Sequence, residues 1–149
     1  MKSLLDTAEN EAVLARIQAL SADTKPQFGT MGPAQMLAHC CVGFELASGQ
    51  KTMKRMFLGR ILGGFAKKVA LGPKPFKQGL PTAPAFIVRD ERDFATEQTR
   101  LTTLVRDFAA GGAEAITREL HPFFGRMTPA DWDLLMWKHV DHHLGQFGA

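Results

Sequence analysis

A chain of 149 residues is one domain's worth of sequence, read here as a single domain over 1–149, and its 45% apolar and 22% charged residues exclude disorder over most of its length. No apolar run reaches the roughly 18 residues a membrane span needs, and the N-terminus mixes acids into its first turns without a hydrophobic leader, so a cytoplasmic protein with no membrane span is expected. The net charge of +3 is unevenly spread: nine bases and no acid lie between Glu45 and Asp90. That basic middle is read as a solvated face offset by acidic neighbours in the fold, with phosphates or an anionic membrane surface as the other takers.

In chain order, residues 3–20 read as a helix, with Leu4, Leu5, Ala8, Ala12, Leu14, Ala15 and Leu20 on a rough 3.6 period. A breaker-rich linker, SADTKPQFGT, follows. A second helix is expected from Gly32-Pro33 to Ala47, ended by Ser48-Gly49. Residues 51–71 alternate cations with Met53, Met56, Phe57, Ile61, Leu62 and Phe65, an amphipathic helix pattern weakened by Gly59, Gly63 and Gly64. The stretch from Gly72 to Pro84 holds four prolines and is expected to be an extended loop. Asp90–Ala110 reads as a helix, Ala113–Leu120 as a short one, and HPFFGRM as a connector. Thr128 as N-cap, Pro129 at the first helical position and Asp131 in the first turn open a last helix that runs to Phe147. No segment alternates at period two, so no sheet is expected. The chain reads as all-α, an up-and-down-type bundle with a long crossover connection.

Five histidines carry the chemistry. His139 and His143 stand at i and i+4, on one face with Trp132, Leu135, Met136 and Phe147. An apolar stripe interrupted by two stacked imidazoles is expected to point inward, at the spacing by which two rings grip one ion. His39, in QMLAHCC on the second helix, is the candidate third ligand. Three histidines with open positions resemble catalytic rather than closed structural sites. His142 falls at the edge of that face, His121 lies in the HPFFG turn, and either is a candidate proton carrier. The alternative for His121 is a turn-capping role, and Gln146 is placed to orient a ligand ring. Familiar metal chemistries are excluded: Val140 stands where a zincin has its Glu, and no Glu stands three residues before any His. Cys40 and Cys41 are adjacent, which makes them a poor disulfide pair.

QMLAHC on a helix, together with HPFFGRMTPADWDLLMWKHVDHHLGQFG, resembles the DinB-like (YfiT-like) superfamily of metal-dependent bundles, in a branch known only as a domain of unknown function. The resemblance covers nearly the whole chain. It implies a four-helix bundle with a long connection between its second and third main helices. It also implies one divalent metal, nickel or zinc, held by residues matching His39, His139 and His143. By analogy with characterised relatives it implies a thiol S-transferase using a low-molecular-weight thiol. Because a divalent ion can activate bound water as well as a thiol, a hydrolase acting on a small molecule is expected on the same footing. The alternative is a non-catalytic helical bundle whose metal or core histidines are structural and which acts as a homodimer or binds a partner through its basic segment. A nucleic-acid partner rests on charge alone and is disfavoured, because aromatic interleaving goes no further than Phe57, Phe65 and Phe76.

Overall fold

The computed structural model describes residues 2–79 and 84–149. It contains five α-helices and, among the described residues, no strand: α1 (Thr7–Ala19), α2 (Pro33–Ala47), α3 (Phe57–Ala70), α4 (Phe94–Gly111) and α5 (Pro129–Gln146). The all-α expectation holds. Two 3₁₀ turns, Pro84–Phe86 and Ala113–Ala115, complete the regular structure. The short helix expected over 113–120 is therefore only a single turn. Residues 80–83 of the proline-rich excursion lie outside the described residues.

Capping explains most helix boundaries. The first helix starts four residues later than its periodicity suggests, because the Asp6 carboxylate accepts from Glu9 N–H at 3.0 Å and fixes the N-cap there. The preceding turn is pinned to α5: Asp133 accepts from Leu4 N–H at 2.7 Å and from the Ser3 hydroxyl at 2.5 Å. Asp93 caps α4 by accepting from Thr96 N–H at 2.9 Å. Thr128 and Asp131 form a reciprocal capping box at the start of α5.

The core lies where α2 meets α4 and α5, with α1 against the same two helices. Helix α2 is buried almost all round, from Met36 through Cys40 and Cys41 to Ala47, as an apolar helix must be. Its neighbours contribute Ile17, Leu101, Val105, Trp132, Val140 and Leu144. Asn10, buried in this core, is satisfied by donating to Leu4 O and Val105 O, each at 3.0 Å.

Helix α3 packs differently. It begins at Phe57 rather than 51, because Met56 N–H donates to Pro122 O at 2.8 Å and Arg55 reaches His121 O at 2.9 Å, holding 51–56 extended along the HPFFG turn. Gly59 and Gly63 lie on the backbone of Phe123, and a Cβ at either position would collide with its carbonyl oxygen. The other end is tied to α5, where Lys138 Nζ donates to Ala70 O, Gly72 O and Lys74 O at 2.6, 2.7 and 2.8 Å. An ammonium at a helix C-terminus is favoured by the helix dipole as well as by these three acceptors. Of the basic middle, Lys54, Arg60 and Lys68 face solvent, whereas Lys67 pairs with Asp131 at 2.7 Å.

Candidate metal centre

The site forms where the middle of α2 faces the last turns of α5. Adjacent packing of these helices brings His39 opposite the i, i+4 pair His139 and His143. The three rings are 4.7–4.9 Å apart, centroid to centroid. One nitrogen from each lies within 4.8 Å of one from each of the others, and His39 Nε2 and His139 Nε2 are 3.0 Å apart. Two nitrogens that each bind one zinc-sized ion at about 2.0–2.1 Å stand at a comparable separation.

Hydrogen bonds on the far side of two rings set their tautomers. His39 Nδ1 is 2.7 Å from Phe86 O, an acceptor, so Nδ1 carries the proton and Nε2 keeps its lone pair. Gln146 Nε2 donates to Phe28 O at 2.9 Å, which orients the amide. Its Oε1 is then the acceptor for His143 Nδ1–H at 2.9 Å, again leaving Nε2 as the lone-pair nitrogen. Carbonyl-type acceptors on the distal nitrogens are the usual support for metal-binding imidazoles. Among the described residues the third ring has no such partner: His139 Nδ1 is buried near Gly43 with no hydrogen bond.

Electrostatics keeps the cluster uncharged. Burial, and then the neighbouring imidazoles, pushes His139 well below its usual range. His143 is pushed down to about 4 by burial and by His39. His39 is lowered by burial against the opposing bond to Phe86 O. Among the described residues no carboxylate or thiol joins this group of potential ligands. The nearby cysteines are poor thiolates, because burial raises Cys40 strongly and pushes Cys41 up to about 12. Three neutral imidazoles, two with fixed tautomers, are a set of nitrogen donors that could hold a metal ion.

The other two histidines sit apart from that convergence. His142 is half-buried between Phe28 and Phe76, with ring centroids at 5.6 and 5.9 Å, and its ring is 5.1 Å from that of His143. Burial lowers its pKa. His121 stacks on Phe124 and leans on Trp132. Its Nδ1 accepts from Phe123 N–H and Phe124 N–H, both at 3.0 Å, so it holds the HPFFG turn, and burial together with Arg55 pushes it down to about 4. The spacing on α5 foretold Gln146 as a ring-orienting group. The Phe86 and Phe28 carbonyls had no signal in the sequence, because any residue type supplies a backbone oxygen.

The sequence matches the family described as Protein of unknown function (DUF1569) over residues 1–149, and the chain belongs to that family. No curated protein and no solved structure matches it.

Proposed function

We propose that this DUF1569 protein is a divalent-metal-dependent enzyme of the DinB-like type, acting on a small molecule as a thiol S-transferase or hydrolase. In this reading α1, α2, α4 and α5 are the four-helix bundle. The segment from Ser48 through α3 to Asp93 is the long crossover between its second and third members. The observation that carries the proposal is the pair of tautomers fixed by Phe86 O and Gln146, which leaves the Nε2 lone pairs of His39 and His143 beside His139. A core packed for stability alone gains nothing from three imidazoles in mutual contact, since each loses solvation and none can be protonated cheaply.

His39, His139 and His143 would hold the ion, nickel or zinc. Such an ion supplies a Lewis-acid centre that lowers the pKa of a thiol or water brought to it. The residues around it have separable tasks. Phe86 O and Gln146 keep two rings in the ligating tautomer, and the Phe28 and Phe76 rings pack against His142. His142 takes the proton that a substrate gives up, because its ring is neutral and reaches the edge of the site. His121 can exchange a proton only through Nε2, its Nδ1 being engaged by two backbone donors.

Cobalt substitution tests this reading. The protein should take up one cobalt ion, and its visible spectrum should change when a low-molecular-weight thiol is added, because a catalytic site keeps an open position. Uptake with a spectrum indifferent to thiol and to small anions would assign a closed structural metal instead. No uptake would leave the histidines as core residues and end the proposal.

A further inference from the structure

We propose that the outward face of α3 docks on an anionic lipid bilayer. Phe57, Leu58, Ile61, Leu62, Phe65 and Val69 are the apolar face of this helix, and each is between 51% and 75% exposed. At 100° per residue they span an arc of about 140°. The exposure is built in, because the opposite face is committed. Gly59 and Gly63 fit against Phe123, Lys67 is paired with Asp131, and Lys138 holds the C-terminal carbonyls. Turning the apolar arc inward would drive side chains into the backbone the glycines now touch. An apolar patch of this kind on a helix marks a contact surface.

Charge selects the occupant. Arg60 is exposed beside the apolar arc and Lys68 within it near the C-terminal end of the helix, and Lys51, Lys54, Lys74, Lys77 and Arg89 are exposed outside the helix. No Asp or Glu occurs from 46 to 89 to offset them. A second copy of the chain would set these bases against one another, a like-charge arrangement that interfaces avoid. A bilayer interface rich in anionic headgroups accepts both components, with apolar side chains at the acyl boundary and Lys and Arg among phosphates. The 14 residues of α3 make a rod of about 21 Å, too short to cross the hydrocarbon layer, so the helix would lie in the plane of the surface.

Vesicle co-sedimentation of the full chain tests the assignment. The protein should pellet with mixed phosphatidylserine–phosphatidylcholine vesicles and at least tenfold less with phosphatidylcholine alone, since each basic side chain near an anionic surface is worth about fivefold in partitioning. Raising the salt to about 0.5 M should weaken it by screening. A Phe57→Ser, Phe65→Ser double variant should lose at least tenfold, and Arg60→Glu, Lys68→Glu should lose as much, both with the melting temperature of the parent. Undiminished pelleting of either variant, or none by the parent, overturns the proposal. So does a stable dimer in sedimentation velocity that Phe57→Ser, Phe65→Ser dissociates, which would give the face to a second copy. A melting temperature that falls in the serine variant would show that the face is covered within the monomer, with the same consequence.

Discussion

Helices α5 and α3 carry equally readable apolar stripes and use them in opposite directions. On α5, Trp132, Leu135, Met136 and Leu144 are buried, and the histidines among them are drawn into the same interior. On α3, Phe57, Ile61 and Phe65 face outward, while the buried seam is Gly59 and Gly63. Large apolar side chains go inside when their helix has a broad partner surface to fill, as α5 has in α2. Helix α3 meets a backbone at van der Waals range, and only a surface without Cβ atoms fits there. Two glycines at i and i+4 are therefore a packing instruction as well as a weakness in helix propensity, and they outrank the apolar stripe. No helix among the described residues is long and apolar enough to cross a membrane, so the outward stripe of α3 is not a spanning segment.

The sharpest break in the comparison is at the α5 histidines. His139→Ala removes one of three proposed ligands from a rigid helix, and affinity for zinc or nickel should fall by about 10³-fold or more. His142→Ala should leave affinity within about threefold, because this ring is outside the converging set. Gln146→Leu should fall between them, at roughly 10–100-fold, as losses of ring-orienting groups do. Isothermal titration checks all three. A loss in His142→Ala equal to that in His139→Ala would mean that the ligand set is misassigned.

Acid should act next, and on the metal-free protein. His143 and His121 sit near 4 in the folded state, below the ordinary value of 6.5 that they regain on unfolding. Between those values the unfolded chain binds more protons than the folded one, so stability is lost as pH falls from 6.5 towards 4. Each residue should cost roughly 2 kcal/mol by pH 5. Urea unfolding at pH 7 and pH 5 measures this. A flat profile would mean that these rings are open to solvent. Helix α3 contains no histidine, but it packs on Phe123 in the turn that His121 Nδ1 holds, so its attachment should weaken as His121 takes up a proton.

These differences also explain what could be read from the sequence alone. Helix type and order followed from periodicity, and the start of α5 from Thr128, Pro129 and Asp131. The His39, His139, His143 grouping followed from i, i+4 spacing plus the need of α2 to bury a face. Helix starts were missed where a side chain two to four residues inside the periodic run caps better than the residue at its edge, as Asp6 and Asp93 do. The direction of α3 was hidden because Phe123 is 60 residues away from Gly63, and no local pattern announces a backbone contact. The supports from Phe86 O and Phe28 O are invisible for the same reason.

A smaller effect is expected from Gly63→Ala. The added methyl meets Phe123 O and should cost about 1–3 kcal/mol. Because α3 lies outside the core formed by α2, α4 and α5, relief should come from α3 lifting away rather than from global unfolding. Amide exchange should therefore rise in 57–70 and remain slow in α2 and α5. Uniform acceleration through all helices would make α3 an integral part of the core and erase the contrast drawn here.

Lys138 joins the two regions, and its removal should have the smallest effect. Its Nζ bonds the carbonyls at the C-terminal end of α3, where Asp131 of α5 also pairs with Lys67, and it lies 5.1 Å from the centre of the Phe76 ring. Burial lowers its pKa, yet three carbonyl acceptors keep the ammonium form favourable. Lys138→Met retains the apolar stem and deletes the charge. It should cost about 1–2 kcal/mol, since the freed carbonyls at the helix end can turn to water. The informative readout is metal affinity, because Lys138 is the neighbour of His139 in sequence but projects toward α3. If α3 and the histidine cluster are mechanically separate, Lys138→Met should loosen 57–79 to amide exchange and leave zinc affinity unchanged. A parallel fall in affinity would mean that the position of α3 is felt at the metal centre, through the Phe76 segment that packs on His142.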